Sequence, residues 1–81
     1  METLEWVLDA GHGWLSVPLS LARKVQGIST FSYAGGGRAY LEEDCDAALF
    51  FDHYEIDPSS VTKVKHYSGD APCRRFARFA A

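Results

Sequence analysis

Tyr40-Leu41-Glu42-Glu43-Asp44-Cys45-Asp46-Ala47-Ala48-Leu49-Phe50-Phe51 decides the fold, because a strand pattern becomes a helix pattern there through four acidic side chains in five positions. A short carboxylate at Asp44 suits an N-cap, where it accepts free backbone N–H groups of the first turn, and Asp46 inside that turn suits the positive end of the helix dipole. The reading is a helix from about Cys45 to Tyr54, with Ala47, Phe50, Phe51 and Tyr54 at i, i+3, i+4 and i+7 forming an apolar stripe that packs on a sheet.

Outward from this stretch the period is mostly two. Arg38-Ala39-Tyr40-Leu41-Glu42 reads as a strand entered from a Gly35-Gly36-Gly37 turn, and Ile28 to Tyr33 as its hairpin partner with Phe31 and Tyr33 on one face. Leu4 to Asp9 and Trp14 to Val17 alternate as an earlier hairpin around the turn residues Ala10-Gly11-His12-Gly13. Pro18 to Gln26 reads as a short helix stopped by Gly27, with Pro18, Leu21, Ala22 and Val25 buried. Pro58 breaks the pattern after the second helix. Val61 to Tyr67 gives another strand, and Cys73 to Phe79 gives either a last strand or a short arginine-bearing helix. The expected architecture is one α+β domain over residues 1–81, in the order ββα-ββα-β(β), with a small antiparallel sheet and both helices on one face.

At 81 residues the chain buries only a modest fraction of its surface, so its two Trp, five Phe and four Tyr must supply much of the core. No apolar run approaches the roughly 18–20 residues of a membrane span. The acidic Met1 to Glu5 segment lacks the positive charge of a secretory signal, so the expected setting is the cytoplasm, with Cys45 and Cys73 as free thiols. Exposed sheet edges and the aromatic load also suggest a homodimer.

The net charge of −3 divides unevenly. Residues 1–57 set Arg23, Lys24 and Arg38 against ten carboxylates, and residues 58–81 set Lys63, Lys65, Arg74, Arg75 and Arg78 against Asp70 alone. Internal complementarity between the halves is the simpler reading; a face offered to a charged partner is the sharper one.

Gly11-His12-Gly13-Trp14-Leu15-Ser16-Val17-Pro18, Ile28 to Tyr33, and Ala39-Tyr40-Leu41-Glu42-Glu43-Asp44-Cys45-Asp46-Ala47 together resemble small uncharacterised proteins of bacteriophages and mobile elements. The resemblance implies a small accessory protein acting in a bacterial cytoplasm, of a class that often works by binding a host protein, and the expected function is a non-enzymatic one, binding or inhibiting a host or phage protein. It carries over no catalytic residue. The candidate contact is the acidic edge Glu42, Glu43, Asp44 and Asp46. The alternative is a nucleic-acid module in which Arg74, Arg75 and Arg78, interleaved with Phe76 and Phe79 and joined by Lys63 and Lys65, contact phosphates and stack on bases.

Other chemistries find less support. His12, His53, His66, Cys45 and Cys73 show no paired spacing of the kind metal sites display, so no metal or cofactor is expected, and a small metal-dependent enzyme stands as a third reading. His12 reads as a turn residue and His53 as a dipole partner at a helix end. Carboxylates around Cys45 oppose thiolate formation, and Gly35-Gly36-Gly37 lacks the Lys-Ser or Lys-Thr of a phosphate loop.

Overall fold

The computed structural model describes residues 4–80. Its middle follows the sequence closely. Strand β4 spans Arg38–Glu42 and helix α2 spans Asp46–Tyr54, with Ala47, Phe50 and Phe51 buried and Tyr54 half-buried. The cap differs from expectation: Cys45 is the N-cap residue and its side chain makes no capping bond, while the Glu42 carboxylate reaches forward to the N–H groups of Asp44 (3.1 Å) and Cys45 (3.0 Å). Glu42 thus fixes the turn that leads into the helix, and the first-turn N–H groups receive no side-chain cap.

The remaining elements are β1 (Glu5–Leu8), β2 (Gly13–Pro18), α1 (Leu19–Ala22), β3 (Tyr33–Gly35), β5 (Val64–His66) and β6 (Ala77–Arg78), with 3-10 turns at Pro58–Ser60 and Pro72–Arg75. The α+β class and the ββα-ββα-ββ order hold. Gly36 and Gly37, at φ of 59° and 77°, close the two-residue turn between β3 and β4; both central positions need positive φ in this type of hairpin.

Three element bounds need correction. Helix α1 is one turn long, because the chain beyond Ala22 tightens into i to i−3 bonds (Lys24 N to Leu21 O, Val25 N to Ala22 O) before Gly27 reverses it at φ 91°; Pro18 ends β2 instead of opening the helix. Strand β3 starts only at Tyr33, since Ser29 and Ser32 bend the preceding loop around the Asp46 carboxylate. The last strand has two residues, with Arg74 and Arg75 on a 3-10 turn before it.

The sheet order is β5-β1-β2-β4-β3-β6, and it is mixed rather than antiparallel, because β1 and β5 run parallel. The reason lies in connectivity. β1 opposes β2 and β2 opposes β4, so β5 is parallel to β4, the strand it follows through α2. A helix between two strands carries the chain back to the end where it started, which gives a parallel crossover.

Leu15, Val17, Ala39 and Leu41 point to the helix face and pack with Ala22, Val25, Phe50, Phe51 and Phe79; both helices lie on this face, and the Tyr54 hydroxyl donates to the Leu21 carbonyl at 2.7 Å to tie α2 to α1. The opposite face presents Val7, Trp14, Tyr33 and Tyr40. It is covered by a strap, residues 67–76, that leaves β5 at one edge and reaches β6 at the other, burying Ala71 and Cys73. Among the described residues no helix is long and apolar enough to cross a membrane.

Phe79 is fully buried among the helix-face residues although it lies just beyond a two-residue edge strand. Phe79→Ala is expected to destabilise the fold by about 3 kcal/mol in urea unfolding, and the same change at exposed Phe76 by about 1 kcal/mol.

Candidate functional site

Three acidic side chains at element ends are acceptors for the chain's own donors. Asp9 follows β1, and its side chain is only 1% exposed. Its Oδ1 accepts from the N–H of Gly11 (3.0 Å) and His12 (2.9 Å); its Oδ2 accepts from the N–H of Ala71 (2.9 Å). Arg74 donates to both oxygens, Nε at 2.7 Å and Nη2 at 3.1 Å. The Asp9 carboxyl is held well below the usual carboxylate range, first by Arg74 and then, against the cost of burial, by these backbone donors.

Asp46, 1% exposed, accepts from the Ser29 N–H and the hydroxyls of Ser29 and Ser32, the latter two at 2.6 Å. Ser32 in turn accepts from the Glu42 N–H at 2.9 Å. Glu42, 7% exposed, turns Oε1 to the α2 entry and Oε2 to His12 Nε2 at 2.9 Å. Burial raises the Glu42 pKa, but the N–H of Asp44, the Cys45 thiol and N–H, and His12 outweigh it, so the group stays ionised more readily than an ordinary glutamate.

The proposed acidic edge therefore splits. Glu42 and Asp46 are internal acceptors, and only Glu43 and Asp44 are exposed. The basic set splits as well. Arg74 is committed to Asp9, and its guanidinium lies 4.9 Å from the Trp14 ring centroid, while Arg78 lies 4.7 Å from that of Tyr33. Arg75 is exposed on the 3-10 turn, and Lys63 and Lys65 lie exposed at β5, the opposite edge of the sheet from β6. No single basic face results.

What the fold does assemble is a cleft of about 490 Å³ on the strap side of the sheet, near its β3-β6 edge. His12, Glu42, Asp44 and Cys45 line it together with Arg74 and Arg78, whose guanidinium groups lie over Trp14 and Tyr33. Phe31 also lines it and is 67% exposed, an unusual degree for a phenylalanine. The Trp14 Nε1 is buried and has no hydrogen-bond partner among the described residues. Of the lining residues, His12, Trp14, Phe31, Tyr33 and Cys45 are ones that the sequence reading placed at no site. The β2-β4 register, which pairs Trp14 with Glu42, brings His12 beside the acidic turn. His53 and His66 are exposed and remote from this cleft's lining.

Both cysteines are free thiols. The Cys45 thiol is exposed but its pKa is raised, first by its bond to Glu42 and then by burial and the Asp46 charge. Burial pushes the Cys73 thiol up to about 11. Neither environment favours a nucleophile.

Comparison of the chain with protein families, with curated proteins and with solved structures gives no match.

Because the folded pKa of Asp9 is depressed, its contribution is fully present above the unfolded value, about 4, and drains away as pH falls toward the folded value. Asp9→Asn is expected to lower stability at pH 7 by about 2 kcal/mol, and to flatten the decline in thermal midpoint between pH 5 and pH 2 seen by circular dichroism in the parent chain.

Proposed function

We propose that the chain is a non-enzymatic accessory protein of the bacteriophage kind, acting in a bacterial cytoplasm by binding a host or phage protein through the strap-side cleft. The observation that carries this reading is Phe31, two-thirds exposed at a cleft that also presents Arg78 and Asp44. An exposed aromatic side chain flanked by charges of both signs resembles the anchor and rim of a protein interface more than the basic groove of a nucleic-acid binder. The acidic contribution narrows to Glu43 and Asp44, the two members of the acidic stretch that are exposed.

The nucleic-acid alternative loses ground on geometry. Its five cations are spread over both sheet edges, and Arg74 is neutralised by Asp9. A second copy of the chain is a weaker candidate partner, since the edge strands β5 and β6 have three and two residues and carry Lys65, His66 and Arg78, features that blunt edge-to-edge pairing.

The test is capture from bacterial lysate with nuclease present, comparing the parent chain with Phe31→Asp and with Glu43→Lys plus Asp44→Lys. A stoichiometric protein retained by the parent and lost with Phe31→Asp, at unchanged thermal midpoint, is the expected result. Retention by Phe31→Asp would remove the cleft from consideration; material that vanishes on nuclease treatment and elutes as salt rises would return the function to the arginines.

A further inference from the structure

We infer that His12, Glu42 and Asp44 form a binding site for a divalent transition ion of the zinc type. Their donor atoms lie within 4.8 Å of one another, on two turns brought together by backbone. The Glu43 N–H donates to the Gly13 carbonyl at 3.1 Å, fixing the His12 turn against the turn that carries Glu42 and Asp44. Space is tight at this junction: a Cβ at Gly13 would stand 2.5 Å from Glu43 Oε2 and 2.7 Å from Leu8 Cδ2, so a glycine permits the close approach.

Glu42 is already arranged as a ligand. One oxygen is occupied by two backbone N–H groups, and the other faces the imidazole at 2.9 Å. Two ligands about 2.0–2.2 Å from one ion, at angles between octahedral and tetrahedral, are about 2.9–3.5 Å apart, so this pair needs little rearrangement to share an ion in place of their hydrogen bond. The backbone bonds to Oε1 orient the carboxylate in the manner of an outer coordination shell. Asp44 is exposed, and its carboxylate makes no hydrogen bond among the described residues, so it is free to complete the set.

One imidazole with two carboxylates favours ions that accept nitrogen and oxygen together over magnesium or calcium, which prefer oxygen alone. Three protein donors on the wall of an open cleft leave coordination positions for water or an anion. A second feature points to such a ligand. The Trp14 ring lies 5.3 Å from the His12 ring and lines the same cleft, and its Nε1–H has no acceptor among the described residues. A buried donor left unpaired is costly, and this one belongs to a residue lining the cleft into which the open coordination positions would face. The opposing charge is limited, since Arg74 is neutralised by Asp9 and only Arg78 faces the site unpaired by a carboxylate.

The site does not depend on the protein-binding reading, because the probe is the metal alone. Zinc chloride is titrated by calorimetry into the full-length chain after chelator treatment and dialysis, with magnesium chloride as the comparison ion. The expected result is one zinc per chain, no competition from magnesium, and affinity weakened more than about tenfold in both His12→Ala and Asp44→Asn. Cys45→Ser is expected to bind as the parent does. Absence of zinc binding in the parent, or unchanged affinity in the folded Asp44→Asn protein, would overturn the inference. Loss of binding in Cys45→Ser would do the same, by assigning the zinc to the exposed thiol.

Discussion

The Asp9 carboxylate is the constraint on which the strap side of the molecule depends. It joins the end of β1 to a segment more than sixty positions later, through the Ala71 N–H and the Nε and Nη2 donors of the Arg74 guanidinium. Without that anchor the strap has little to seat it, since the strap contributes few apolar side chains and its own backbone forms only a short 3-10 turn. With it, Ala71 and Cys73 are pressed onto Val7, Trp14 and Tyr33, and the second face of the sheet is withdrawn from water. A carboxylate that is almost fully desolvated is tolerated here because five donors converge on it.

The same economy governs the other two buried acids. Asp46 gathers the loop before β3, and Glu42 gathers the entry to α2 and the turn before β2. Each acid takes up donors that would otherwise be stranded where a strand or helix stops. The uneven charge of the two halves is therefore met partly inside the molecule. Arg74 with Asp9 is a pairing between the acidic and the basic portions of the chain, whereas Lys63, Lys65 and Arg75 stay at the surface without an ion pair among the described residues.

Where local pattern and local chemistry agree, sequence reading located the structure. β4 has the expected bounds, and α2 buries the expected stripe, because alternation, acidic first turn and aromatic spacing all act within a dozen residues. The shortfalls have non-local causes. Helix propensity from Pro18 onward yields to a tight turn, and the alternation from Ile28 yields to Asp46, whose pull on Ser29 and Ser32 acts across fourteen or more positions. The parallel seat of β5 follows from sheet order, which periodicity does not encode. The acidic stretch was visible as a cluster, but the partition into two internal acceptors and two exposed groups depends on where the His12 turn and the Ser29–Ser32 loop arrive. His12 itself sits between two glycines thirty positions from Glu42, and what sets it there is the β2-β4 pairing, which its own neighbours do not encode.

The path of the strap bears on how the chain comes to be folded during synthesis. From β5 to β6 it crosses the whole sheet, five inter-strand steps or about 24 Å, and the strand at its far end pairs with β3 while Phe79 enters the core on the reverse side. The two outermost strands are thus both supplied by the last third of the chain, and each joins a partner made much earlier. A nascent chain emerging from a ribosome can assemble the central β1-β2-β4-β3 ladder and its helices, yet the β1 edge waits for β5, and the β3 edge and the strap-side face stay open until residue 79 has cleared the exit tunnel. Completion of this fold waits for the strap and β6, and the interval before they arrive is when the unpaired edges are most open to other chains.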